Sequence, residues 1–182
     1  MTDEQLKKEQ KPTNCLIWLW LAAVIVVLDL GTKYLASTYL SYAEPNPVLP
    51  FFDLTLLHNT GAAFSFLSDA GGWQRWFFVG IAVAVSVALI IWLARSPRKL
   101  WWLGIALASI LGGALGNLYD RAVYGYVVDF ISVHYENYFF PAFNIADTAI
   151  TIGAIVLILD MLFLEGKRKA SDVKTEEKTE NE

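Results

Sequence analysis

The chain has 182 residues, 55% of them hydrophobic, with a mean hydropathy of +0.43 and a formal net charge of −4. That is too apolar for an ordinary water-soluble domain, and nothing in the charge balance offers a nucleic acid a basic surface. A single cysteine excludes an intramolecular disulfide, and two histidines beside it are too few for a zinc site.

In chain order, residues 1–13 form a charged leader with Lys7, Lys8 and Lys11. A hydrocarbon core takes about 20 apolar residues per helix, and four stretches qualify. The first runs from about Leu16 to Leu35. It resembles a signal peptide, but the nearest small-x-small site, Ala36-Ser37-Thr38, follows the charged D-L-G-T-K at Asp29 to Lys33, so we read a retained helix. Cys15 at its entrance reads as a packing residue, because Pro12-Thr13-Asn14 does not fit a lipobox. Asp29 and Lys33 are four apart, a natural ion pair that supports a site rather than performing chemistry. Pro45 to Pro50 then breaks any helix, and Phe51 to Leu57 alternates in a β-prone pattern. A small extracytoplasmic sheet or cradle on the membrane surface is expected there.

The second and third spans cover about Trp76 to Ala94 and about Leu100 to Tyr119. Gly112 and Gly116 give the third a small-xxx-small face for close helix contact. Asn117 and Arg121 share a face, where an amide and a guanidinium can hold a peptide backbone or steady a carboxylate. The loop at 122–143 is crowded with aromatics, including Tyr124, Tyr135, Phe139 and Phe140, and reads as an interfacial segment, either an anchor or a lid. The fourth span runs from about Ile145 to Leu164, and Asn144 and Asp147 mark its start as cap and third position. Asp160 near its far end is expected to meet Lys167 to Lys169 or water. Residues 166–182 are a charged tail, disordered by composition. The whole reads as one compact membrane domain over 14–165, all-α apart from the cradle.

Eleven of the 14 basic residues fall in the leader, the loop between spans two and three, and the tail, leaving only Lys33, Arg75 and Arg121 on the other side. The positive-inside rule therefore puts both termini in the cytoplasm and the loops at about 40–75 and 120–144 outside.

Two outward carboxylates carry the chemistry. Asp129 lies in Val127-Val128-Asp129-Phe130-Ile131, an extended apolar piece, and Asp147 at the start of a span. A carboxylate near lipid is costly, and two that meet can share a proton, one serving as base and the other as acid. The pattern suggests an intramembrane aspartyl hydrolase. Asp129 could instead pair with Arg121 or Lys33, and Asp147 could simply cap its helix. Asp120 is a rival that local reasoning leaves open: it ends the third span beside Arg121 and reads as solvated or paired. No H-E-x-x-H, G-x-S-x-G or phosphate-cradling glycine loop is present. A proton-coupled carrier built on Asp29 is the competing class, disfavoured because the acids gather at one face.

Together, D-L-G-T-K at Asp29 to Lys33, N-T-G-A-A-F-S at Asn59 to Ser65, G-G-A-L-G-N-L-Y-D-R at Gly112 to Arg121, V-V-D-F at Val127 to Phe130 and F-N-I-A-D-T-A at Phe143 to Ala149 resemble the lipoprotein signal peptidase (signal peptidase II) family, in order and spacing. The resemblance implies four transmembrane helices in the bacterial inner membrane, an outward-facing site and Asp129 with Asp147 as the catalytic pair, which settles the question of Asp120. It implies that Asn59, Gly61, Asn117, Arg121, Asn144 and Ala146 line or shape the site, with Asp29 and Lys33 in support. It also implies substrates with a diacylglyceryl group on the cysteine after the scissile bond. No cofactor or metal is expected, and a monomer among membrane lipids is.

Overall fold

The computed structural model describes residues 14–61, 71–136, 138–164 and 166. The leader at 1–13, the Ala62 to Ser65 part of the N-T-G-A-A-F-S motif and tail residues 167–182 lie outside the described residues.

Asn14 caps a short 3-10 turn, Cys15–Trp18, which runs into α1 (Leu19–Tyr39). Then come β1 (Asn46–Leu49), β2 (Phe52–Asn59), α2 (Trp73–Arg95), α3 (Trp101–Val123), β3 (Val127–Tyr135), β4 (Tyr138–Phe139) and α4 (Ile145–Leu159), which continues as a π turn over Asp160–Leu164. Among the described residues four helices are long and apolar enough to cross a membrane. The expected spans match them to within a few residues, and all four carry apolar side chains outward, such as Val27, Ile81 and Ile152. In water such surfaces would be an aggregation liability; against lipid they are the ordinary state. Cys15 is fully buried, its thiol directed at the carbonyls of Pro97 and Leu100.

α3 is the axis of the bundle. Of its most apolar stretch 67% is buried inside the protein, against 17%, 17% and 22% for the other three helices. Its small residues explain why. A Cβ on Gly112 would stand 2.8 Å from Ile25 Cβ and 2.9 Å from the Ala22 carbonyl, so Gly112 faces α1. Gly113 faces the Ala146 carbonyl at the start of α4, and Gly116 faces the Asp29 carboxylate. Gly153 of α4 returns the contact, its absent Cβ lying 2.8 Å from the Ala106 carbonyl. The small-xxx-small face is thus used as expected, and Gly113 beside it admits a second helix.

The cradle is a four-stranded antiparallel sheet in the order β1-β2-β3-β4. β3 reads with period two: Val128 and Phe130 pack with Leu56 and Ala36, while Val127 and Asp129 point into a cleft. One extra residue in β2, between Leu54 and Leu57, bulges the pairing before Leu57 comes opposite Asp129. A one-residue slip would send Asp129 into the apolar layer, so burial of that layer fixes the register. The aromatic segment is more ordered than a loop, since much of it is β3 and β4.

One expectation fails. α3 runs on to Val123, which places Asp120 inside the helix rather than at its end. Asp160 is 4% exposed, so water is not its main partner, and the other expected partners, Lys167 to Lys169, lie outside the described residues.

Gly116→Ala should push the Asp29 carboxylate from its place and cost about 1–3 kcal/mol by overpacking. Gly31, with nothing within 4 Å of its absent Cβ, is the control: Gly31→Ala should leave stability equal or raised by up to about 1 kcal/mol through helix propensity. Thermal unfolding of both in detergent checks the pair.

Candidate active site

β3 and the first turn of α4 each bring one carboxyl to the same cleft, and Asn144 stands between them. Its backbone is extended at φ −136°, ψ −174°, as a helix cap requires. Its Oδ1 accepts the Asp147 N–H at 2.9 Å, and Asp147 Oδ2 accepts the Asn144 N–H at 3.3 Å. That reciprocal capping box fixes the amide with its nitrogen pointing away from the helix. Nδ2 then donates to Asp129 Oδ1 at 2.7 Å, with the Val128 carbonyl at 3.2 Å and Asn117 Oδ1 at 3.3 Å also in reach. One fully buried side chain therefore touches both acids and the backbone beside one of them.

The remaining carboxyl oxygens have amide partners too. Asp129 Oδ2 accepts from Asn59 Nδ2 at 3.1 Å, and Asn59 Oδ1 accepts the Gly61 N–H at 3.0 Å. Asp147 Oδ1 accepts from Asn117 Nδ2 at 2.8 Å. Neither acid is ion-paired to Arg121 or Lys33 among the described residues. Arg121 donates to the Gly61 carbonyl at 3.0 Å and lies 5.2 Å over the Phe78 ring.

Behind this layer sits a buried ion cluster. The Lys33 ammonium, 3% exposed, lies 2.7 Å from Asp29 Oδ2 and 2.9 Å from Asp120 Oδ2, and donates to Asn117 Oδ1 at 2.9 Å. Because Asn117 Oδ1 is taken by the lysine, its Nδ2 is left to Asp147. Asp29 Oδ1 accepts the Ala146 N–H at 2.9 Å. Asp29 is therefore bound on both oxygens. Asp120 is 1% exposed and pairs with Lys33 rather than its neighbour Arg121, so the solvated reading is wrong and the paired one names the wrong cation.

Two cations, Lys33 and Arg121, face four carboxyls, so the full set of charges would leave the cluster at −2. A retained proton lowers that cost. Asp129 is suited to hold it: burial, then the Asp147 charge, push it from the ordinary 3.8 up to about 7, against the opposing bonds from Asn59 and Asn144. His58, stacked 4.0 Å from the Tyr126 ring, is held below its usual range by burial. The cleft encloses about 1110 Å³. Asn59, Asn117, Arg121, Asp129 and Asp147 line it together with the apolar Phe140 and Ile152, while Asp29, Lys33, Asn144 and Ala146 act from behind the wall. The residue that sequence reasoning set aside is Asp120. One signal could have kept it: a buried lysine whose neighbourhood supplies more carboxylates than Asp29 alone.

The model of the signal peptidase (SPase) II family matches residues 21–163. The chain is 59% identical over 176 residues to the lipoprotein signal peptidase of Acinetobacter baumannii, covering 94% of this chain and 99% of that one. It is 60% identical over 153 residues to that of Acinetobacter baylyi, covering 84% and 86%. Two solved structures are similar, both described as a bacterial membrane enzyme obtained by the in meso method. One, at 1.9 Å, has a TM-score of 0.73 and 33% identity over 85% of this chain and 99% of that one. The other, at 2.3 Å, has a TM-score of 0.72 and 34% identity over 80% and 87%. The chain belongs to the signal peptidase II family.

Asn144→Ala removes a helix cap and a buried donor together, and should cost about 1–3 kcal/mol of stability. Asn144→Ser restores the cap oxygen but not the donor to Asp129. Thermal unfolding should therefore recover in the serine variant, while peptide cleavage should not.

Proposed function

We propose that, within its signal peptidase II membership, this chain is an aspartic endopeptidase whose catalytic pair is Asp129 and Asp147. A protease of this family removes signal peptides from prolipoproteins in the bacterial inner membrane. The observation that carries the aspartic reading is that both carboxyls open on one cleft and are joined through Asn144.

Asp129, the more buried acid, carries the proton; Asp147, at the positive end of α4, serves as the carboxylate. Asp147 takes a proton from a water molecule, whose oxygen adds to the carbonyl carbon of the scissile peptide bond. Asp129 donates a hydrogen bond to the carbonyl oxygen as that oxygen gains charge. Proton transfer to the peptide nitrogen then lets the C–N bond break, releasing a new amino terminus and a carboxylate. The titration belongs to the pair, since each acid sets the other's state. Asn59, Asn117 and Arg121 hold the wall against which the peptide backbone lies. The cut falls just before the diacylglyceryl-bearing cysteine, and the apolar part of the cleft takes the signal helix and the lipid chains. The basic residues put both termini in the cytoplasm and the cleft outside.

Purified protein in detergent, given a diacylglyceryl-modified prolipoprotein, should release the signal peptide in a gel-shift assay. Asp129→Asn and Asp147→Asn should each lose about 10³-fold or more in rate while remaining folded. Substantial cleavage by either variant would remove that residue from the pair.

The wild-type rate should fall as pH rises through about 7, where Asp129 loses its proton. Stability carries the same sign. The folded-state value lies above the unfolded one, so the fold holds an extra proton between about 4 and about 7 and loses stability as pH rises across that window. Asp129→Asn should show no such loss, so the gap in melting temperature between variant and wild type should widen from pH 4 to pH 7 and then level off. A gap that stays flat across the window would mean that Asp129 titrates in its ordinary range.

A further inference from the structure

The ion cluster behind the wall contains a repeated device. Asp29 and Asp120 share Lys33, and each also accepts one backbone N–H from another element. Asp29 takes the N–H of Ala146 at 2.9 Å, and Asp120 takes the N–H of Val128 at 3.1 Å. Ala146 immediately precedes Asp147, and Val128 immediately precedes Asp129. The two carboxylates thus each hold the backbone of the residue just before one of the two proposed catalytic acids.

We infer that Asp120 is a positioning residue for the cleavage reaction: through Lys33 and the Val128 N–H it clamps β3 to α3 and sets where Asp129 stands, as Asp29 does for Asp147 through Ala146. The inference rests on the reading of Asp129 and Asp147 as the catalytic pair. Several observations support it. The backbone of Val128 is held on both sides of its Cα, its N–H by Asp120 and its carbonyl, which is part of the peptide unit leading to Asp129, by Asn144. Asp120 is 1% exposed and spends its charge inside the protein, at a cost that an isolated ion would not recover. β3 reaches α3 by a tight turn, with Gly125 at φ +87° and its N–H on the Asp120 carbonyl, so backbone and side chain of the same residue hold the strand's approach.

The two clamps differ in one respect that sharpens the test. Asp120 uses a single oxygen, Oδ2, for both Lys33 and Val128. The amide of D120N can place its oxygen there and keep both partners. Asp29 uses both oxygens, Oδ2 for Lys33 and Oδ1 for Ala146. The amide of D29N must therefore turn its NH₂ group towards one of two donors. A positioning role predicts that D120N is mild and D29N severe. A proton-transferring role for Asp120 predicts the reverse for D120N.

The experiment measures kcat and KM for lipid-modified prolipoprotein cleavage by the full chain in detergent, per folded enzyme, with D129N as control. Asp120→Ala should lose about 10²-fold in kcat, the effect of a displacement near 1 Å, with KM little changed. D120N should recover most of that kcat, to within about tenfold of wild type, because its oxygen still accepts from Val128. D29N should fall below D120N. If Asp120→Ala does not fold, Asp120→Glu carries the test: it keeps the charge for Lys33 but moves the oxygen off Val128, and should lose kcat at wild-type KM. Wild-type kcat in Asp120→Ala or Asp120→Glu overturns the inference, as does a folded D120N as inactive as D129N. Should D129N itself cleave normally, the catalytic pair falls, whatever the Asp120 variants do.

Discussion

A lysine ammonium with almost no access to water is the constraint on which this site is built. Lys33 must be met by acceptors wherever it is buried, because an uncompensated buried charge costs several kcal/mol. The acceptors it finds come from two helices: Asp29 from its own α1, Asp120 and Asn117 from α3. The requirement to neutralise one charge therefore fixes the angle and depth at which α1 meets α3. It also orients Asn117, since an amide whose oxygen faces an ammonium has only its NH₂ group left for Asp147. From there the order propagates through Asn144 to Asp129.

That arrangement needs helices closer together than ordinary side chains permit. Gly112, Gly113 and Gly116 provide the approach, and each faces something specific: the Ile25 and Ala22 part of α1, the Ala146 carbonyl, and the Asp29 carboxylate. The glycines do more than let helices pack. Gly116 leaves the space through which Asp29 reaches the Ala146 N–H on another helix. In a membrane, where lipid and protein interior are similarly apolar, such packing and polar contacts must supply the specificity that the hydrophobic effect supplies in water.

The sequence was informative wherever a rule of short range decides the outcome. Four apolar runs gave the helices, Asn144 and Asp147 gave the capping box, and the four-residue spacing of Asp29 and Lys33 gave their ion pair. The alternation around Val128 and Asp129 gave an extended piece with one apolar face. What the residues alone could not rank was Asp120 against Asp129. Both lie in apolar company near a cation, and their difference is one of long-range geometry: Asp120 finds Lys33, 87 positions earlier in the chain, whereas Asp129 finds only amides. The end of α3 misled for the same reason. A helix ending near Tyr119 would leave Asp120 in water, and the three residues beyond Asp120 instead turn it into the wall.

The two proposed catalytic acids are held by different kinds of structure, a difference that suits the different work proposed for them. Asp147 sits in the first turn of a helix, where backbone N–H groups point outward and negative charge is welcome. Asp129 sits on a strand whose other face is an apolar layer, 3% exposed and close to a second carboxyl. The amides of Asn59 and Asn144 soften that environment without supplying a countercharge. The cations around it are already bound: Lys33 by Asp29, Asp120 and Asn117, and Arg121 by the Gly61 carbonyl. If Lys33 were free to turn to Asp129, it would hold both acids ionised and leave no proton to share. On this reading the buried ion cluster has two consequences at once. It fixes the frame of the site, and by keeping its cation engaged elsewhere it lets Asp129 stay protonated beside an ionised Asp147. Positioning and proton inventory then follow from the same three contacts of one lysine.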